Sequence, residues 1–165
     1  MQSASLANGP AGRTVWEHVD WREASRIVTN LRQRIFRAAR ANDPRKVRSL
    51  QKLMLRSRSN ILMSVRRVTQ VNAGRNTAGV DKVLVKTPAA RGDLVDDLAT
   101  FQPWRAKPVR RVYIPKKSDS SKHRPLGIPT IMDRCLQAID CVRNSNKQRD
   151  KTNEMRKMAG FSREI

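Results

Sequence analysis

Aromatic residues are nearly missing: three Trp, three Phe and one Tyr in 165 residues, 4% of the chain. That shortage excludes a surface that holds nucleic acid by stacking base after base on rings. Acidic residues are scarce too, 14 against 35 Lys and Arg, which leaves a formal net charge of +21. So large an excess goes beyond solubility and points to a polyanion as partner, with phosphate contact as the dominant interaction. The basic residues are spread along the whole length, so the folded surface itself carries the charge. No apolar run approaches the roughly 20 residues of a spanning helix, and no signal-peptide core follows the start. RNA or DNA is therefore preferred over a membrane. The two cysteines, Cys135 and Cys141, stand six apart, which suits neither a metal-ligand set nor a disulfide framework. They read as reduced, half-buried thiols of an intracellular protein.

What is present is a series of amphipathic helices, and the length has room for one ordinary domain. Residues 1–14 are small, polar and Gly/Pro-punctuated, and a frayed terminus is expected there. From Asp20, with Glu23 three residues on, a capping box opens a helix whose Ala24, Ile27, Val28, Leu31, Ile35 and Ala38 recur at helical spacing. Its polar face carries Arg22, Arg26, Arg32, Arg34, Arg37 and Arg40. A solvated face is one reading; RNA contact is favoured because opposing acids are few. Asp43 and Pro44 open a second helix, so the two pair as a helical hairpin, with Ser57 and Ser59 placed to break the second in two. Arg66 and Arg67 follow near its end. "VNAGRNTAGVDK" reads as a loop in which Arg75 either approaches a phosphate between permissive glycines or belongs to a plain connector. A short helix is expected from a cap at Asp93 through Phe101.

The pattern then changes. In "VRRVYIPKKSDSSKHRPLGIPTIMDRCLQ" a β-branched alternating run, a turn-forming "SDSSK" and a second strand-like run lead into a helix capped by Thr130 and Asp133. Lys116, Lys117, Lys122, His123 and Arg124 are expected at the turn and on one face of this ribbon, as a positive flap able to hold a triphosphate or a nucleic-acid backbone. Arg134 beside Asp133 reads as stiffening the helix, and Gly127 and Pro129 as structural. The fold class expected is mainly α with a small β-hairpin (α+β).

"VRRVYIPK…RPLGIPTIMDRCLQ" resembles the first conserved block of the reverse transcriptase in group II intron-encoded proteins, the maturase/reverse transcriptase family. The segment upstream, through "SVRRVTQ" and "NAGRNTAGVD", is similar to that family's N-terminal extension, so the likeness runs from about Val15 to Gln137. It implies a helical N-terminal domain over 15–87 that grips template and intron RNA, then a partial fingers subdomain over 88–140, whose hairpin closes over the incoming deoxynucleotide. By that likeness Lys117 falls where a lysine contacts the nucleotide's phosphates and Arg124 where an arginine packs on its base. The less favoured readings are Lys117 as a solvated turn residue and Arg124 as a partner of an acid of the sheet. The RNA-binding set is Arg26, Arg34, Arg37, Arg66, Arg67, Arg75, Lys116 and Lys122.

The departures from the family matter as much. Full-length members use Mg²⁺ and dNTP, with metal ions held by palm carboxylates: an early aspartate and a later Tyr-Ala-Asp-Asp-type pair. This sequence has neither, and nothing around Asp140, Asp150 or Glu154 supports a metal role. Residues 141–165 no longer resemble the family and are expected to be disordered, as a truncated or frameshifted gene would leave them. No catalytic residue, metal or cofactor is assigned to this chain, which is expected to be inactive alone and to bind RNA. Two rivals stand beside that reading: a polymerase subunit completed by a palm/thumb-containing polypeptide, and a domesticated basic component of a ribonucleoprotein. The expected compartment is the bacterial cytoplasm, with an organelle as the alternative.

Overall fold

Side-chain caps decide where most of the helices start. In the computed structural model, which describes residues 12–100, 105–116 and 119–140, Asp20 Oδ1 accepts the backbone N–H of Glu23 at 2.9 Å and opens α1, Trp21–Arg40. Glu23 takes Arg26 as its partner instead of closing the capping box. Asp43 accepts from the Lys46 N–H at 2.9 Å and, with Pro44 in the first turn, opens α2, Pro44–Arg56. Between them Asn42 sits at φ 52°, a left-handed conformation that Asn adopts more readily than most residues. Ser57 is extended (φ −70°, ψ 118°) and separates α2 from α3, Arg58–Arg66, so the serine break is where it was expected.

α3 is buried nearly all round, with Ser59, Asn60, Ile61, Leu62, Ser64 and Val65 inside, the mark of a central helix. Asn60 reaches out of it, donating to the carbonyls of Met54 at 3.1 Å and Ile139 at 3.3 Å. The loop expected after Gln70 is more ordered than its composition suggests. A π turn runs over Arg67–Val71, closed by Asn72 N–H to Arg67 O at 2.8 Å, and a 3₁₀ turn over Ala73–Asn76 follows.

The expected cap at Asp93 is corrected. The next helix, α4 (Pro88–Ala99), starts at Thr87, whose Oγ1 accepts from Ala90 N–H at 3.2 Å. Thr87–Pro88 repeats the Asp43–Pro44 arrangement, and Asp93 lies inside the helix, paired with Arg13 at 3.0 Å. Gly92 is tolerated mid-helix because a Cβ there would strike the Thr14 carbonyl. Thr14, at the edge of the terminal segment, is held by its N–H to Asp96 at 2.8 Å, and Arg58 joins both residues. Phe101 lies outside the described residues, as do Lys117, Cys141 and the C-terminal tail.

Strands β1 (Arg110–Lys116) and β2 (Asp119–Ile128) pair antiparallel from Arg110↔Ile128 to Pro115↔His123, then slip so that Lys116 faces Asp119. Two corrections follow. "SDSSK" is not all turn, since β2 already begins at Asp119. Nor do His123 and Arg124 share a face, because successive strand residues alternate. Arg124 sides with Val112, Ile114, Leu126 and Ile128; His123 sides with Tyr113. The last helix, α5 over 131–140, begins at the expected cap: Thr130 Oγ1 donates to Asp133 Oδ2 at 2.7 Å and accepts its N–H at 3.1 Å.

The apolar residues gather in two clusters. One joins α1 and α2 through Val28, Leu31, Ile35, Ala38, Leu50 and Met54. The other collects Trp16, α3, α4 and α5 around Val65, Val95 and Cys135, all 0% exposed. At about 1.5–3 kcal/mol for each large side chain removed from water, these clusters hold the helices. No described hairpin residue is buried. The architecture is thus mainly α with one β-hairpin, and among the described residues no helix is long and apolar enough to cross a membrane.

Candidate nucleic-acid interface

The helical period that buries Val28, Leu31 and Ile35 fixes what the other side of α1 must show. Arg22, Arg26, Arg37 and Arg40 fall on the strip opposite the buried one, with Arg34 on its flank, and all five are exposed. They differ in what occupies them. Arg26 is held by Glu23 through two bonds, Nε to Oε2 at 2.7 Å and Nη2 to Oε1 at 2.8 Å. That fork keeps the Glu23 carboxyl below its usual range and raises Arg26 in turn. Arg40 lies 5.9 Å from the Phe36 ring.

The end of α3 carries a second pair with divided roles. Arg67 is exposed, whereas Arg66 is half-buried with its guanidinium 4.7 Å from the centre of the Trp21 ring. Trp21 meets Trp16 edge-on at 4.7 Å, and Arg91 of α4 stands 5.9 Å from the Trp16 ring. Two arginines thus bracket the tryptophan pair, a geometry in which the ring quadrupoles attract each cation by about 0.5–1 kcal/mol at exposed sites.

Arg75 stands in a segment whose sequence reads equally as a plain connector, and the fold gives it company. It lines a cavity of about 400 Å³ with Thr69, Gln70, Asn76, Lys86 and Arg91. Lys86 and Arg91 were not foreseen, since the wall joins the π turn, the 3₁₀ turn and α4, which no local pattern links. Arg134 explains why the wall holds its shape: it donates to Pro129 O at 3.0 Å, Gly74 O at 2.9 Å and Thr77 O. Burial lowers its pKa. Gly79 completes the junction, for a Cβ there would come within 2.7 Å of Thr130 Cα.

On the hairpin, Lys116, Lys122 and Arg124 are exposed, and Lys117 lies outside the described residues. Lys122 Nζ is 3.1 Å from Asp119, whose carboxylate also accepts from the Ser121 hydroxyl at 2.6 Å and N–H at 3.1 Å. Those contacts, Ser121 first, hold Asp119 below the usual carboxylate range. Val109, Tyr113 and Leu126 leave apolar surface uncovered, with Tyr113 61% exposed. Among the described residues no three His, Cys, Asp or Glu side chains gather in a way that could hold a metal. The arrangement can bind anions.

Protein YkfC of Escherichia coli (strain K12) is 33% identical over 115 residues, covering 67% of this chain and 29% of the relative. The chain therefore spans less than a third of that relative's length. The profile of the N-terminal domain of reverse transcriptase matches residues 16–98, from the buried Trp16 through α4 and just over half of the sequence, so the chain belongs to the reverse transcriptase N-terminal domain family.

Proposed function

We propose that the chain is the RNA-gripping N-terminal region of a group II intron reverse transcriptase/maturase. Its helices hold intron or template RNA, and its hairpin serves as the flap of a fingers subdomain. The observation that carries this reading is the arginine strip of α1 opposite its buried stripe, on a chain of net charge +21 that belongs to a reverse transcriptase domain family. Phosphate contact supplies the affinity in such a surface, and sequence preference comes from RNA shape. Lys117 and Arg124 are proposed to meet the phosphates and base of an incoming deoxynucleotide. Lys116 and Lys122 would flank them. The uncovered Leu126, on the face that also carries Ile114 and Ile128, suits a hairpin that packs on a palm, and a palm/thumb-containing polypeptide is the proposed partner of that face.

Filter binding on structured group II intron RNA, beside an unrelated RNA of equal length and with primer extension run in parallel, tests this. Tighter binding of intron RNA without extension is the expected result. Equal affinity for both RNAs overturns the intron assignment, and extension by the purified chain overturns the view that the polymerase carboxylates lie outside it.

A further inference from the structure

The cavity at the junction of the π turn, the 3₁₀ turn and α4 is chemically one-sided. Its lining offers three cations, Arg75, Lys86 and Arg91, with the amides of Gln70 and Asn76, and includes no carboxylate. Among the described residues none of the three cations joins an ion pair. Arg91 goes further, because its Nε is buried and makes no hydrogen bond. A buried donor left without an acceptor costs about 1–3 kcal/mol, and three like charges lining one cavity repel one another. A bound anion offsets both costs. Thr69 adds no donor, since its hydroxyl is given to Val65 O at 2.8 Å.

The framework is fixed before any ligand arrives. Arg134 grips the carbonyls of Gly74 and Thr77, on either side of Arg75 and Asn76. Trp16 backs Arg91. Gln70 sits on the π turn, a local helix distortion often found at functional sites. The volume of about 400 Å³ exceeds a lone oxyanion and falls in the range of ligand-sized pockets.

We propose that Arg75, Lys86 and Arg91 form a discrete site for one phosphodiester group of an RNA strand, with Gln70 and Asn76 donating to its neighbouring oxygens. This rests on the RNA-binding reading above, and the test separates the two. On the full chain, side-chain amide signals of Gln70 and Asn76 are followed by NMR while inorganic phosphate replaces chloride at constant ionic strength. In parallel, a fluorescein-labelled single-stranded RNA is titrated by anisotropy with wild type, with Arg75→Gln/Lys86→Gln, and with Arg34→Gln/Arg37→Gln. All four substituted side chains are exposed, so both variants should fold, which thermal unfolding checks.

The site predicts a saturable shift of both amides with phosphate. It also predicts an RNA affinity about tenfold weaker in Arg75→Gln/Lys86→Gln, and a log–log salt slope less negative by about 0.7 for the lost contact. The charge-matched α1 variant should lose less. Equal losses in the two variants, or no saturable shift, overturn the site while leaving RNA binding standing. A saturable shift in a chain that binds no RNA overturns the phosphodiester as ligand together with the RNA reading, and assigns the cavity to free phosphate compounds.

Discussion

Met54 in the helical body is 0% exposed and Tyr113 in the hairpin 61%, and the two side chains show how differently the two regions are held. The body closes around two apolar clusters and begins α1, α2, α4 and α5 with side-chain caps. The hairpin relies on its own ladder and the Asp119–Ser121–Lys122 contacts at its turn. An isolated two-stranded ribbon is marginal in water. The contrast teaches that stability belongs to the helices and that the hairpin is free to respond to what it meets.

Truncating the core should break the comparison most visibly. Met54→Ala is expected to cost about 2–5 kcal/mol in urea denaturation, and Tyr113→Ala to stay within about 0.5 kcal/mol. Equal losses would show that the hairpin is packed on the body. Next in size is Thr130→Ala, at about 0.5–2 kcal/mol, because it removes the α5 cap and the hydroxyl facing buried Asp133; Thr130→Ser should restore much of it.

Cys135 offers a smaller, pH-dependent effect. Burial pushes its thiol from the ordinary 9.0 up to about 12, so folding disfavours the thiolate. The stability tied to this group is complete below the unfolded pKa, and is lost as pH rises from about 9 towards about 12. Cys135→Ala should flatten that part of the curve, and alkylation of Cys135 should await unfolding. A native-state reaction as fast as that of a free thiol would contradict its burial. Smallest are Glu23 and Asp119, both depressed by hydrogen-bonding partners. Their contributions are present above the unfolded carboxylate pKa and fade as pH falls through the lower folded values. Carboxyl ¹³C titration should place both midpoints below ordinary values, and Arg26→Gln should return Glu23 towards normal.

Legibility followed locality. Caps at Asp20, Asp43 and Thr130 and the break at Ser57 could be read because each is settled within one helical turn. The Thr87–Pro88 start carries the same signal as Asp43–Pro44, while Asp93 imitates a cap because apolar Leu94 and Val95 follow it directly. The opposite facing of His123 and Arg124 follows from strand alternation once β2 is continuous through both. Lys86 and Arg91 were illegible for a different reason. Their meeting with Arg75 depends on a π turn and on Arg134 reaching back to Gly74 and Thr77, a contact between segments far apart in sequence.

The central claim is that a dispersed cationic surface on the helical body holds RNA by its phosphates. The most direct test is the salt dependence of affinity for a single-stranded RNA, measured by fluorescence anisotropy on the full chain. Several phosphate contacts at about −0.7 each predict a log–log slope steeper than about −2. A slope near zero, at any affinity, would contradict the account.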